Sequence, residues 1–127
     1  MPKSKSVSNS KSNRLIGWLV SYAKDEKGTA HEIRAGRTII TSEDDQQSRI
    51  ITIADADLSA PHLAMQASTK HSIMVQDIFS ESGSFIVDGK SGAERAVSGP
   101  VELRHGDWIR VGATIRFQLC LIDGPNR

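Results

Sequence analysis

The sequence predicts an all-β domain, built as a sandwich of two mostly antiparallel sheets with loops gathered at one apex. Short runs rich in β-branched and aromatic residues recur along the chain, and turn-forming residues separate them at close spacing. No segment sustains the apolar period of an amphipathic helix. Many short strands at such spacing are typical of a β-sandwich.

The individual strands follow from alternation and turn chemistry in chain order. The first begins near Leu15, and its Trp18, Val20 and Tyr22 alternate with the residues between them, which is the two-residue period of a strand. A tight hairpin is indicated by the Asp-Gly pair at 88–89. Further strands are predicted around residue 33 and at 38–41, 49–53, 62–67, 72–76, 84–87, 95–97, 101–103, 108–111 and 114–122.

Composition narrows the class of protein. The 127 residues suit one domain, and 38% of them are hydrophobic, enough for a packed core. The 16 Lys and Arg residues nearly balance the 15 Asp and Glu residues, for a net charge of +1. That balance argues against general capture of nucleic acid, which needs a clustered basic face. No run approaches the ~18 apolar residues of a membrane span.

Cysteine and histidine usage adds to this picture. Cys120 is the single cysteine, which excludes an internal disulfide and favours a reducing compartment. We therefore expect a cytoplasmic location. The 4 histidines are scattered without zinc-ligand spacing, and we expect no metal and no cofactor.

Charge is unevenly distributed between the start of the chain and its body. Residues 1–24 carry 5 basic residues and no acid, whereas the remainder holds 11 basic and 15 acidic residues. The serine-rich stretch 1–13 has too few apolar side chains to repay its ordering. We predict a disordered basic tail at 1–13, the sandwich at 14–122, and a linker or tail at 123–127.

The sequence gives little support for an enzyme. Gly89-Lys90-Ser91 resembles the end of a phosphate-binding P-loop, but Ser84 stands where that motif needs its first glycine, and a hairpin fits better than a helix. No histidine is paired with a nucleophile and a carboxylate at recognisable spacing. Trp108 and Cys120 are interpreted as core residues.

The remaining signal lies in loops. Gly36-Arg37 lies between two strands, Ser59 to His62 precede another, and 80–84 join two more. Loops of alternate connections meet at one end of a sandwich. Arginine offers a bidentate fork to phosphate, and serine hydroxyls and turn amides add neutral donors. The sequence therefore predicts a small anion site.

In order and spacing, these segments resemble a forkhead-associated (FHA) domain. The resemblance covers about residues 16–122. The matching segments are Gly36-Arg37, Ser59-Ala60-Pro61-His62, Ser80-Glu81-Ser82-Gly83-Ser84, Asp88-Gly89 and Gly106-Asp107.

The resemblance implies a β-sandwich whose apical loops bind a phosphothreonine peptide. By position, Arg37 would grip the phosphate, and Ser59 would donate its hydroxyl to the same group. His62 would brace the loop from behind, and the 82–84 turn would hold the peptide main chain. The binding residues that the resemblance implies are Arg37, Ser59, Ser82, Gly83 and Ser84, with Gly36, His62 and Asp88 in support.

The expected function is recognition of a Ser/Thr-phosphorylated protein, with phosphothreonine preferred, in intracellular signalling that regulates an attached or partner enzyme. The alternative is a degenerate FHA fold that acts as a phosphate-independent interaction module. That alternative is motivated by two departures from the family pattern. Ala60 stands where the family often has Arg or Lys, and Ser82 replaces its asparagine.

The partner is expected to be a phosphoprotein, and neither nucleic acid nor a membrane. A further hypothesis is that a kinase modifies the chain's own serine-rich tail, which the body then captures in cis or in trans. The tail contains no threonine, which stands against it.

Overall fold

The computed structural model describes residues 13–43 and 49–123, and these residues contain strands and turns but no helix. None of the described segments could therefore span a membrane as a helix. The strands are β1 Leu15–Ser21, β2 Thr29–Arg34, β3 Gly36–Thr41, β4 Arg49–Thr52, β5 Leu63–Ala67, β6 Ile73–Asp77, β7 Ser84–Val87, β8 Glu94–Ala96, β9 Val101–Leu103, β10 Trp108–Val111 and β11 Ile115–Leu121.

The strands form two sheets, which confirms the predicted all-β sandwich. A six-stranded sheet has the order β2-β1-β11-β10-β7-β8, and a five-stranded sheet has the order β4-β3-β5-β6-β9. Every described pairing is antiparallel except β3 with β4. The predicted tail, residues 1–13, lies outside the described residues apart from Asn13, and of 123–127 only Asp123 is described.

Strand direction defines the two ends of the sandwich. β3 and β6 run toward the end that we call the apex, and β5 and β7 run away from it. The connections at this end include the β1–β2 turn, the β4–β5 loop, the β6–β7 loop and the β10–β11 turn, together with Ser42 at the end of β3. We use the name apical loops for the β4–β5 and β6–β7 loops and the β10–β11 turn, which contact one another. The β7–β8 hairpin and the β5–β6 turn lie at the opposite end, which we call the base.

Alternate side chains of both sheets meet in one apolar core. In β1 the close approach to β11 needs a glycine, because a Cβ on Gly17 would lie 2.3 Å from the carbonyl oxygen of Cys120. The largest fully buried side chains are Phe117, Ile16, Leu19, Ile33, Ile40, Leu63, Met65, Ile73, Leu103, Ile109, Leu119 and His62.

The outer face of the six-stranded sheet carries side chains that the sequence had assigned to the core. Trp108 is only partly buried there, and the guanidinium of Arg116 lies 4.9 Å from its ring centroid. Cys120 is also partly exposed and is paired in register with Trp18. The prediction that Trp108 and Cys120 belong to the core was wrong, because both occupy positions that alternate with the inward-facing Ile109 and Leu119.

Candidate functional site at the apical loops

The apex joins loops from both sheets through backbone contacts. The amide of Ser42 donates to the carbonyl of Ser59 at 3.2 Å, which ties the end of β3 to the β4–β5 loop. The amide of Gly112 donates to the carbonyl of Gly83 at 3.0 Å, which ties the β10–β11 turn to the β6–β7 loop. Residues distant in sequence thus form one continuous surface.

His62 holds two of these loops from beneath. It is fully buried, and its Nδ1 accepts the amide hydrogen of Ser59 at 3.0 Å. Because Nδ1 accepts, the proton of the neutral ring belongs on Nε2, which donates to the carbonyl of Gly83 at 2.8 Å. His62 therefore positions both loops without facing solvent.

Ser59 lies on the surface that His62 supports. Its hydroxyl oxygen accepts the amide hydrogen of Glu81 at 3.1 Å, a contact that links the β4–β5 and β6–β7 loops. The hydroxyl hydrogen has no acceptor among the described residues. Ser59 thus retains one donor for a ligand.

Asp57 joins the β4–β5 loop to the β6–β7 loop and to the β10–β11 turn, and the sequence did not indicate this role. Its Oδ1 accepts the hydroxyl of Ser82 at 2.7 Å, and its Oδ2 accepts the amide of Ala113 at 2.5 Å. The Ser82 hydrogen bond, followed by that of Ala113, holds the pKa of Asp57 below its ordinary value. The hydroxyl of Ser82 is committed to this network and is not free to donate to a peptide.

A second carboxylate shapes the β6–β7 loop from below. Asp77 accepts the hydroxyls of Ser80 and Ser84, each at 2.5 Å, and the amide of Ser80 at 2.8 Å. Burial alone would raise the pKa of Asp77, but these hydrogen bonds outweigh burial and the pKa lies below its ordinary value. Ser84 is buried in this cluster, so its role is structural.

Gly83 supplies the turn between these two clusters. Its φ of +84° lies in the left-handed region that favours glycine, and its amide donates to the hydroxyl of Ser80 at 3.0 Å. With its carbonyl held by His62 and Gly112, both polar groups of Gly83 have partners within the fold.

The charge of the apex is negative. Among the described residues of the apical loops, with Ser42 and Glu43, there is no Lys or Arg, whereas four acids occur there: Glu43, Asp55, Asp57 and Glu81. The β1–β2 turn at the same end adds two lysines and two acids, which leaves this end negative. Arg110 reaches the β10–β11 turn from the outer face of the six-stranded sheet, but it donates to the carbonyl of Gly112 and pairs with Glu94. This surface therefore lacks the cation that a phosphate site normally provides.

The structure does not bring Arg37 to this surface. Arg37 lies at the beginning of β3, where it is paired in register with Gln66, whereas Ser42 at the other end of the strand contacts Ser59. Arg37 and Ser42 are five positions apart along the strand, or about 16 Å at roughly 3.3 Å per residue. An arginine side chain spans less than half of that, so the expectation that Arg37 and Ser59 grip one phosphate is corrected.

Two further residues that the resemblance implied also lie elsewhere. Gly36 precedes Arg37 toward the base, with a φ of +112°. Asp88 lies in the basal β7–β8 hairpin, where its carboxylate accepts the amides of Lys90 and Ser91, each at 2.8 Å. The hydrogen bond from Ser91, followed by that from Lys90, lowers the pKa of Asp88, so this side chain stabilises a turn and does not support the apex.

No metal site accompanies the apical network. Within 13–43 and 49–123, no group of three or more His, Cys, Asp or Glu side chains is arranged to hold a metal ion.

Comparison with solved structures identifies the fold. The FHA domain of the CT664 protein from Chlamydia trachomatis superposes with a TM-score of 0.69 at 22% identity, covering 83% of this chain and 96% of that chain. The FHA domain of an Arabidopsis thaliana hypothetical protein gives 0.68 at 21% identity, covering 90% and 92%. The chain thus has the FHA fold. No family model matches the sequence, and neither does any curated protein.

A neighbour of the same fold was solved with a ligand. The FHA domain of human APLF, in complex with an XRCC1 bisphospho peptide, gives a TM-score of 0.64 at 15% identity and covers 84% of this chain and 99% of that chain.

The Ser82→Ala substitution is expected to raise the pKa of Asp57 toward its ordinary value, because it removes the largest stabilising contact of the carboxylate. A carboxyl whose folded-state pKa is lowered stabilises the fold above its unfolded pKa and loses that contribution as the pH falls through the folded pKa. The native chain should therefore retain this contribution to a lower pH than the variant. Carboxyl ¹³C NMR titration measures the shift, with Ser72→Ala, at the basal β5–β6 turn, as the control. An unchanged Asp57 titration in Ser82→Ala would contradict the network.

Proposed function

We propose that this chain is a protein-interaction module of the FHA fold whose apical loops recognise a partner without requiring a phosphate. The observation that carries the proposal is the charge of the apical loops, whose described residues, with Ser42 and Glu43, include four acids and no Lys or Arg. A phosphate dianion brought to such a surface meets repulsion instead of a guanidinium. The proposed role is binding rather than catalysis, and the proposed location is cytoplasmic.

The internal hydrogen bonds of the 82–84 turn support the same proposal. The hydroxyl of Ser82 donates to Asp57, that of Ser84 donates to Asp77, and the carbonyl of Gly83 accepts from His62. A peptide main chain would have to compete with these internal hydrogen bonds. The apex thus presents a largely pre-formed surface, which suits recognition by shape and by neutral or cationic groups.

Phosphothreonine-dependent recognition is the second candidate, and Ser59 favours it. The Ser59 hydroxyl retains a free donor above the His62 brace, and human APLF of the same fold was solved with a bisphospho peptide. Under this reading Ser59 would carry the phosphate contact without help from Arg37. The partner would then be a Ser/Thr-phosphorylated protein.

Capture of the chain's own N-terminal tail stays a prediction, since residues 1–12 lie outside the described part of the chain. The tail brings Lys3, Lys5 and Lys11, whose charge complements the acidic apex. Each phosphate would add about −1.5 to −2 charge and weaken that attraction. Under the proposed function, tail phosphorylation therefore lowers any such binding instead of creating it.

A peptide titration distinguishes the two candidates. We expect an arrayed library of decapeptides centred on phosphothreonine to bind no more tightly than the same library with plain threonine. A charge-assisted phosphate contact is worth about 1.5–3 kcal/mol, so a functioning phosphate site should separate the two libraries by about tenfold or more. Fluorescence anisotropy on the best peptides gives the ratio of dissociation constants.

The matched variants are Ser42→Arg and Ser59→Ala. Ser42→Arg places a guanidinium beside Ser59 and should create a preference for the phosphorylated library. If the native chain itself prefers phosphothreonine by tenfold and Ser59→Ala abolishes that preference, the second candidate replaces the first.

A further inference from the structure

Away from the apex, a groove of about 380 Å³ crosses the outer face of the five-stranded sheet. Its floor comes from the beginning of β3 and from β5 and β6, and its rim comes from the start of the β6–β7 loop. Its lining includes Arg37, Gln66, Met74, Asp77, Phe79 and Pro100.

Phe79 projects from the rim entirely into solvent, with a relative exposure of 100%. Its φ of 49° lies in the left-handed region, which costs an aromatic residue about 1–2 kcal/mol. The backbone is fixed on both sides of it, because the amide of Ile78 donates to the carbonyl of His62 at 3.0 Å and the amide of Ser80 donates to Asp77 at 2.8 Å. The fold thus holds an apolar ring outward at an energetic cost.

Arg37 supplies the cation of the same groove. It is exposed, and its guanidinium forms no hydrogen bond or ion pair with any other described residue. Gln66 and then Met74 follow it in register across the sheet, and Met74 is 39% exposed. A free arginine, a methionine and a phenylalanine lining one groove match the residue types that are enriched in protein interfaces.

We propose that this groove docks an extended segment of a partner protein that carries a carboxylate for Arg37 and a large apolar side chain for Met74 and Phe79. Charge complementarity selects the occupant, because Arg37 is the one cation among the groove-lining residues. Asp77, the one acid of the lining, accepts hydrogen bonds from Ser80 and Ser84 and forms no ion pair with Arg37. The same charge excludes the chain's own lysine-rich tail. The volume suits two or three side chains of an extended segment.

The test uses the whole chain and random twelve-residue peptides displayed on phage. Selection against the native chain, with counter-selection on the Arg37→Glu variant, should enrich peptides that combine an Asp or Glu with a large apolar residue. The affinity of the enriched synthetic peptides is expected to fall at least tenfold for Arg37→Glu and for Phe79→Ser, and to weaken as salt is raised.

Two control variants separate this surface from the rest of the molecule. Arg116→Glu reverses an exposed arginine on the other sheet, and Ser59→Ala alters the apex, so neither should change the affinity of the selected peptides. Enrichment of no consensus, of basic peptides, or of peptides that bind Arg37→Glu and Phe79→Ser as well as the native chain would overturn the proposal. The proposed apical function has its own test and can fail or stand independently.

Discussion

Replacing His62 with alanine is expected to destabilise the fold by about 3 kcal/mol, from the cavity left by a fully buried ring and the loss of two internal hydrogen bonds. The amide of Ser59 would lose its acceptor, and the carbonyl of Gly83 would keep only the amide of Gly112. The β4–β5 and β6–β7 loops would then lose this link and retain the Ser59–Glu81 and Asp57–Ser82 contacts, so any apical ligand should bind more weakly as well. Urea unfolding followed by circular dichroism gives the free energy of unfolding.

The exposed His105 provides the matched control, since its ring accepts a single amide, that of Leu121, at 3.0 Å. His105→Ala should cost less than about 1 kcal/mol. If His62→Ala proved as mild as His105→Ala, His62 could not be the brace that joins the loops.

Phe117→Ala should lower the free energy of unfolding by about 4 kcal/mol, the largest loss among the three possible Phe→Ala substitutions. Phe117 is fully buried between the sheets, in register with Ile109, and its ring meets that of His31 edge-on at 5.8 Å between centroids. Few neighbours can move to fill the space, because both sheets are fixed by their ladders.

The chain offers an internal series for this measurement, since it contains 3 phenylalanines. Phe85 lies on the outer face, with the guanidinium of Arg110 at 4.2 Å from its ring centroid. Phe85→Ala should lower the free energy of unfolding by about 1 kcal/mol. Phe79→Ala, at a fully exposed position, should leave the free energy of unfolding almost unchanged. A different rank order in the free energy of unfolding would contradict the placement of these rings.

The sandwich could be predicted from the sequence because its strands carry their own signals. β-Branched runs such as 49–53 and the alternation around Trp18 reflect a pleated sheet with one buried face. The Asp-Gly pair at 88–89 falls at the β7–β8 hairpin for the same local reason. These features depend on neighbours in sequence, so no tertiary information was needed.

The position of Arg37 away from the apex could also have been predicted from the strand that follows it, although the motif match favoured the opposite placement. Gly36-Arg37 fits the family pattern by residue identity, but a strand was predicted directly after it, at 38–41. A strand that starts beside Arg37 carries the chain away from it, so the apical residue is the one at the far end, Ser42. Strand direction therefore outweighs residue identity in placing a loop motif.

The role of Asp57 could not be predicted in this way. Its partners, Ser82 and Ala113, are 25 and 56 positions away, and neither pairing has a local sequence signature. The conformation of Phe79 is similar, because it depends on Asp77 and on the carbonyl of His62. Such features exist only once the two sheets have assembled.

The outward position of both tryptophans determines what optical spectroscopy will report. Trp18 and Trp108 are the chain's 2 indoles, and both lie partly exposed on the outer face of the six-stranded sheet. Their fluorescence emission should therefore change when a ligand covers that face. It should change little when a peptide occupies the Arg37 groove on the outer face of the five-stranded sheet. Intrinsic fluorescence thus becomes a built-in sensor of which side of the molecule a ligand has chosen.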